Sequence, residues 1–77
     1  MKELIEYIAK SLVDEKDKVE VREIEEEGGV TVFELRTAPE ELGKVIGKGG
    51  KIANALRILL NAAAAKADKR AILKIVE

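Results

Sequence analysis

The chain has 77 residues, a formal net charge of −1, and neither Cys nor His; 38% of its residues are charged and 47% hydrophobic. We expect residues 1–77 to form a single small domain. The absence of Cys and His excludes disulfides and nearly all zinc, haem and iron–sulfur sites, so we predict no cofactor, no metal and a reducing, cytoplasmic location. The longest apolar run is Ala62–Ala65, and acids interrupt the N-terminal stretch, so we predict neither a membrane span nor a signal peptide.

The first half of the chain predicts a helix and a β-hairpin. Apolar residues at spacings of three and four indicate an amphipathic helix over residues 3–13. Alternation predicts a strand over residues 18–25, where Ile24 breaks the period by one place and indicates a bulge or the strand's end. Two glycines, Gly28 and Gly29, supply a turn into a strand over residues 30–36, which is rich in β-branched residues.

The second half predicts two helices and a last strand. Pro39 and the acids after it open a helix that ends at Gly47. A second helix runs from near Gly50 to about Ala67, with a predicted buried stripe of Ile52, Leu56, Leu59, Leu60 and Ala63. A strand follows over residues 70–76. The order α-β-β-α-α-β predicts an α+β fold, with a three-stranded mixed sheet covered by helices on one face.

The near-zero net charge hides an uneven distribution. Residues 1–39 carry six basic and eleven acidic side chains, a net −5, whereas residues 40–77 carry eight basic and four acidic ones, a net +4. No acid occurs between Leu42 and Ala67. Asymmetry of this kind indicates nucleic-acid contact, although a solvated helix face with a chance bias remains the alternative on composition alone.

The segment Val45–Ile52 carries the most specific signal. Gly47, Gly49 and Gly50 leave the turn between two helices almost without side chains, so another backbone can approach it closely. The N-terminus of the second helix favours an anion such as phosphate, and Lys44, Lys48 and Lys51 add positive charge. The P-loop of nucleoside triphosphatases and the dinucleotide-binding motif both require other spacings after a strand. A simple glycine turn between packed helices remains open.

The sequence Ile46-Gly47-Lys48-Gly49-Gly50-Lys51-Ile52 resembles the signature of the KH domain, in which I-G-x-x-G joins two helices. The predicted element order resembles the prokaryotic, type II topology, and the length resembles the small stand-alone bacterial KhpA family. Only Tyr7 and Phe33 are aromatic, which argues against domains that stack bases on aromatic platforms.

The resemblance implies that single-stranded RNA binds beside the loop without catalysis. The loop and its N–H groups would contact phosphates, two isoleucines would form an apolar groove floor, and the last strand and the loop before it would border the groove. The residues expected to bind RNA are Lys44, Ile46, Gly47, Lys48, Gly49, Gly50, Lys51, Ile52, Lys69, Arg70, Ile72 and Lys74.

The resemblance also implies a role as an RNA chaperone or post-transcriptional regulator. A site for about four nucleotides binds weakly, so we expect a homodimer or a heterodimer with a second KH-type RNA-binding protein. We expect no small-molecule substrate and no membrane partner. A KH-fold dimerisation or adaptor module with little RNA binding remains the alternative, and the absence of His, Cys and paired carboxylates argues against an enzyme.

Overall fold

The computed structural model describes residues 1–76 and has the predicted order of elements. Single 3-10 turns lie at Lys16–Lys18, Pro39–Glu41 and Lys48–Gly50. The main elements are helix α1 (Lys2–Leu12), strands β1 (Glu20–Glu26) and β2 (Val30–Arg36), helices α2 (Leu42–Ile46) and α3 (Lys51–Ala65), and strand β3 (Arg70–Val76).

The three strands form one mixed sheet in the order β1-β2-β3. Strands β1 and β2 pair antiparallel, and the residues between β2 and β3 include both α2 and α3, so β3 returns parallel to β2. A crossover of this length is what a parallel pair requires. The predictions of an α+β fold with a three-stranded mixed sheet and of the element order α-β-β-α-α-β are therefore confirmed.

The core lies between the helices and one face of the sheet. Phe33 and Leu35 of the central strand are 1% and 0% exposed, and full burial of such side chains stabilises by about 1.5–3 kcal/mol each. The other side chains that pack into this core come from all three helices and from both outer strands; they include Ile5, Ala9, Val21, Val45, Leu56, Leu60, Ala71 and Leu73.

The opposite face of the sheet is open and explains one wrong prediction. Strand β1 continues to Glu26 with unbroken pairing, so Ile24 marks neither a bulge nor the strand's end. Instead Ile24 lies on the open face in register with Val32, which is in register with Ile72. The alternation slips because β1 carries apolar residues on both faces, Val21 towards the helices and Ile24 away from them.

Helix α3 is rotated from the predicted orientation. Its buried residues are Ala53, Leu56, Leu60 and Ala64. The prediction that Leu59 and Ala63 are buried is wrong: Leu59 is 52% exposed, its neighbour Ile58 is 70% exposed, and Ala63 is also exposed. Apolar residues occur nearly all round this helix, so periodicity alone does not select the face that packs on the sheet.

Candidate nucleic-acid interface

The turn between α2 and α3 is held open by backbone conformations that favour glycine. Gly47 has φ 79° and ψ 164°, Gly49 has φ 65° and Gly50 has φ 78°. Residues with a Cβ rarely adopt such positive φ values. A Cβ placed on Gly49 would meet nothing within 4 Å. The outer side of the turn is thus open space into which another chain can approach.

Gly47 is required for a second reason, which is its contact with Ile52. A Cβ on Gly47 would lie 2.7 Å from Ile52 Cγ1 and 2.8 Å from the Ile52 backbone nitrogen. The Ile52 side chain therefore packs directly against the turn and, on its other side, against the core. Ile46, the last residue of α2, is 37% exposed. Together these isoleucines form apolar surface beside the glycines.

Lys48 and Lys51 give the turn its positive charge. Both are exposed, and within residues 1–76 neither forms an ion pair, so their ammonium groups are available to an anion. Two of the expected N–H donors already have acceptors: Gly50 N–H donates to the Gly47 carbonyl over 3.0 Å, and Lys51 N–H donates to the Lys48 carbonyl. Gly49, the third expected donor, lies between them in the same turn.

Lys44 is held by two carboxylates rather than facing solvent alone. Its Nζ lies 3.0 Å from Glu41 Oε2 and 3.1 Å from Asp14 Oδ2. The hydrogen bond from Lys44 to Glu41, and then the one to Asp14, raises the pKa of the Lys44 ammonium. Lys44 thus ties helix α2 to the segment after α1, and its charge is largely offset where it stands.

Glu41 is the centre of this cluster and is only 5% exposed. Its two carboxylate oxygens accept hydrogen bonds from the backbone N–H groups of Asp14, over 2.7 Å, and Glu15, over 2.9 Å. These backbone bonds, Asp14 first, and then the bond from Lys44 lower the pKa of Glu41 to about 2. Hydrogen bonds that favour the ionised form act in this direction. Glu41 was not among the residues expected from sequence, although its spacing of three from Lys44 fits a helical ion pair.

Glu41 makes a prediction about acid stability. Its folded pKa lies below the unfolded value of 4.5, so its contribution is fully present above pH 4.5 and is lost as pH falls through about 2. Glu41→Gln is therefore expected to lower the unfolding temperature at pH 7 and to flatten its decline between pH 4.5 and 2, measured by circular dichroism. Glu27→Gln, an exposed turn residue outside every ion pair in residues 1–76, is the control. If the unfolding temperature of Glu41→Gln fell between pH 4.5 and 2 as steeply as that of the unsubstituted protein, this account would be contradicted.

Strand β3 forms the free edge of the sheet next to α3. The Arg70 N–H donates to the Gly29 carbonyl, on the hairpin side, whereas the Ala71 N–H donates to Asn61 Oδ1 of α3. Because N–H directions alternate along a strand, those of Leu73 and Ile75 also point away from β2. Ile72 and Lys74, both expected to bind RNA, place their side chains on the open face instead. The structure therefore does not bring these two side chains together with Ile46 and Ile52.

Lys69 and Arg70 lie at the opposite end of α3 from the glycine turn. The Lys69 N–H donates to the carbonyl of Ala64, at the C-terminal end of that helix, and Arg70 begins β3. A helix of 15 residues is about 22 Å long, so these two residues are about that far from Gly50. Lys69 Nζ is also 4.0 Å from Glu25 Oε1. The residues that do come together are Lys44 and the segment Ile46–Ile52.

Comparison with known proteins fits this geometry. A family model described as KhpA/KhpB, KH domain matches residues 2–75, which include every helix of the fold and the whole glycine turn. The chain belongs to the KhpA/KhpB KH-domain family.

Relatives within the KhpA/KhpB family align along nearly the whole chain. The RNA-binding protein KhpA of Aquifex aeolicus is 57% identical over 77 residues, covering all of this chain and 96% of the relative. The proteins of the same name from Caldanaerobacter subterraneus and Clostridium acetobutylicum are 53% and 51% identical over 76 residues, covering 99% of this chain and all of each relative. No solved structure matches the chain significantly. None of the helices between Met1 and Val76 is long and apolar enough to cross a membrane.

Proposed function

We propose that this KhpA/KhpB-family protein binds single-stranded RNA at the Gly47–Gly50 turn, without catalysing a reaction. The observation that carries the proposal is the combination of a side-chain-poor, solvent-open turn with two unpaired lysines, Lys48 and Lys51, within the described residues. A turn of this kind admits a sugar–phosphate backbone, and a GXXG loop in a KH domain clamps about four nucleotides. The relatives bearing the name RNA-binding protein KhpA support the same function.

In this proposal each part of the site has a separate task. Lys48, Lys51 and the Gly49 N–H bind phosphates, which fixes the strand's position without reading its sequence. Ile46 and Ile52 provide an apolar surface for the bases. The bases cannot stack on an aromatic ring here, because this half of the chain has no aromatic residue. Outward-pointing backbone groups of β3 from Leu73 onwards supply hydrogen bonds to base edges. Lys44 acts by positioning α2 rather than by binding phosphate, since Asp14 and Glu41 already hold it.

The four other residues expected from sequence take outlying places in the proposed site. Lys69 and Arg70 attract the RNA at the far end of α3, and Ile72 and Lys74 lie within β3 with their side chains on the open face of the sheet. We propose that the three cations among them, Lys69, Arg70 and Lys74, attract the RNA by long-range electrostatics, and that Ile72 contributes packing. Ile46–Ile52 remains the segment in direct contact with RNA.

We also propose that the protein works as an RNA chaperone or post-transcriptional regulator in the cytoplasm, paired with a second copy or a partner KH protein. Ile58 and Leu59 are 70% and 52% exposed on one side of α3, with the small residues Ala55 and Ala62 beside them. Apolar side chains of this size grouped on a surface favour a protein interface. Pairing two four-nucleotide sites raises affinity through effective concentration.

The second candidate function is a KH-fold dimerisation or adaptor module that binds little RNA. The same exposed pair, Ile58 and Leu59, favours it, because a protein interface on α3 would be sufficient for such a role. The two functions differ in what the glycine turn does: an adaptor does not need Lys48 and Lys51 to remain free.

Salt dependence of RNA binding tests the proposed function. A fluorescent single-stranded RNA of eight nucleotides is titrated with the protein at several KCl concentrations, and the logarithm of the association constant is plotted against the logarithm of salt concentration. Two lysine–phosphate contacts predict a slope of about −1.4, at about −0.7 per contact on a single strand. A slope near zero, or no binding at low salt, would overturn the proposal and leave the adaptor function.

A further inference from the structure

A cavity of about 240 Å³ lies away from the glycine turn, between the helix-covered face of the sheet and the C-terminal end of α3. Phe33 and Ala71 line its sheet side, and Ala63, Ala64 and Ala67 line its helical side. The residues from Ala63 to Ala67 follow Lys51 by 12 or more positions, which places the cavity about 18 Å or more from the turn. No part of the proposed RNA site except Lys69 reaches it.

Two carboxylates and a hydroxyl give this apolar cavity a polar mouth. Glu23 and Glu25 alternate along β1, so both side chains lie on the helix-covered face, in register with Phe33 and Thr31. Both glutamates are exposed, and Glu23 has no ion-pair partner within residues 1–76. The cavity therefore combines an apolar floor with acidic groups at its entrance.

Thr31 adds a hydroxyl to the lining of the cavity. It is 9% exposed and lines the cavity, yet its hydroxyl makes no hydrogen bond to any residue in the described part of the chain. No buried side-chain nitrogen or oxygen in residues 1–76 is sealed away without a partner. The Thr31 hydroxyl is therefore reachable from outside, and Thr31 lines both this cavity and a smaller depression beside Gly29 and Val30, so an occupant can bond to it.

The nearby cations leave the entrance acidic. The ammonium of Met1, which lines the cavity, is 3.6 Å from Glu3 and is offset by it. Lys69 Nζ is 4.0 Å from Glu25 Oε1 with half of its side chain exposed, which is a weak pair. Glu26 and Glu27 follow directly on the chain and add negative charge. A phosphate would be repelled here, whereas a cation with an apolar stem would be attracted.

We propose that this cavity binds an arginine side chain from an extended segment of a partner protein. A cavity of 240 Å³ is smaller than the roughly 300–1,000 Å³ of small-molecule sites, and its size fits one side chain. The alkyl stem of arginine packs on Phe33 and the alanines, as such stems do on apolar surface. Its planar guanidinium carries five donors, enough to bond to Glu23, Glu25 and the Thr31 hydroxyl together. Occupancy would give the acidic half of the chain a partner and leave the glycine turn free for RNA.

The test is an NMR titration of the full-length, isotope-labelled protein with the peptide acetyl-Gly-Arg-Gly-amide. The matched probe has citrulline, which keeps the shape of arginine but has no charge, in place of arginine. We expect saturable shifts of the Thr31, Ala63 and Ala71 amides with the arginine peptide, at least about tenfold weaker binding of the citrulline peptide, and no shift at Gly47–Gly50. Equal binding of both peptides, or no saturable shift, would overturn the proposal.

Variants separate a specific site from general acidity. Glu23→Gln with Glu25→Gln is expected to weaken arginine-peptide binding roughly tenfold or more, whereas Glu26→Gln with Glu27→Gln, the same charge change on neighbouring residues, leaves it within about twofold. Lys69→Gln removes the competing cation and is expected to tighten binding. If both double variants weaken binding equally, the site is not an arginine site.

Discussion

Gly47→Ala is expected to destabilise the fold by roughly 2–4 kcal/mol and to abolish RNA binding at micromolar protein. Alanine at φ 79° is strained, and its Cβ would be placed 2.8 Å from the Ile52 backbone nitrogen, which cannot rotate away as a flexible side chain could. Relief requires moving the start of α3, and with it the turn. For a chain of this size the unfolding temperature should fall by roughly 10–30 °C, measured by calorimetry.

Gly43→Ala provides the matched control for Gly47→Ala. Gly43 lies inside α2 without a positive φ, and a Cβ there meets nothing within 4 Å. Alanine in place of a helical glycine is expected to stabilise by about 0.5–1 kcal/mol and to leave RNA affinity unchanged. If the two substitutions had similar effects on stability, the close contact with Ile52 would not be what makes glycine necessary at position 47.

Lys48→Asp with Gly49→Asp is expected to weaken binding of a short single-stranded RNA about 100-fold or more at 0.1 M salt while the fold and the oligomeric state survive. The change removes one exposed cation and sets two anions where phosphates are proposed to lie. The fold should tolerate it, because Asp adopts the left-handed region more readily than most residues and a Cβ at Gly49 meets open space. Binding is measured by fluorescence anisotropy and oligomeric state by sedimentation equilibrium.

The control for this double variant is Lys10→Asp with Ser11→Asp, which changes the net charge by the same amount on exposed residues of α1. It should weaken RNA binding by no more than a few-fold, since charges beyond a Debye length are screened. Unchanged RNA binding by the Lys48→Asp, Gly49→Asp variant would show that RNA does not bind at the glycine turn. Loss of binding together with loss of the oligomer would favour the adaptor function, with the turn at a protein interface.

Sequence alone predicted the elements well where a strong periodic signal coincided with a clear stop. Strands β2 and β3 have their predicted bounds of residues 30–36 and 70–76, because β-branched residues are bracketed by glycines, a proline or a polar loop. The turn at Gly47–Gly50 could be predicted equally well, since three glycines within four positions are more than a simple turn between two helices requires. These elements are determined by residues close together in the sequence, so contacts between distant segments do not change them.

The features that sequence did not predict depend on contacts between distant segments. The pattern of α3 correctly predicts burial of Leu56 and Leu60. It also predicts Leu59 and Ala63 because this helix is apolar nearly all round, and only packing on the sheet selects Ala53 and Ala64 in their place. Glu41 has the sequence position of a solvated acid in a first helical turn, and only the fold brings the N–H groups of Asp14 and Glu15 to it. The distance of Lys69 from the turn, by contrast, follows from the predicted length of α3, because that helix separates the two segments.

The parallel pairing of β2 with β3 has a consequence for how this chain acquires its structure during synthesis. The hairpin of β1 and β2 joins neighbouring segments and can form early, whereas Val30 pairs with Arg70, forty positions later. Closing a loop of that size costs entropy before any pairing is gained, so formation of the mixed sheet is delayed. Until the last strand has emerged from the ribosome, the edge of β2 and the underside of α3 stay uncovered. A nascent chain that already contains the complete glycine turn therefore still lacks the support that shapes it.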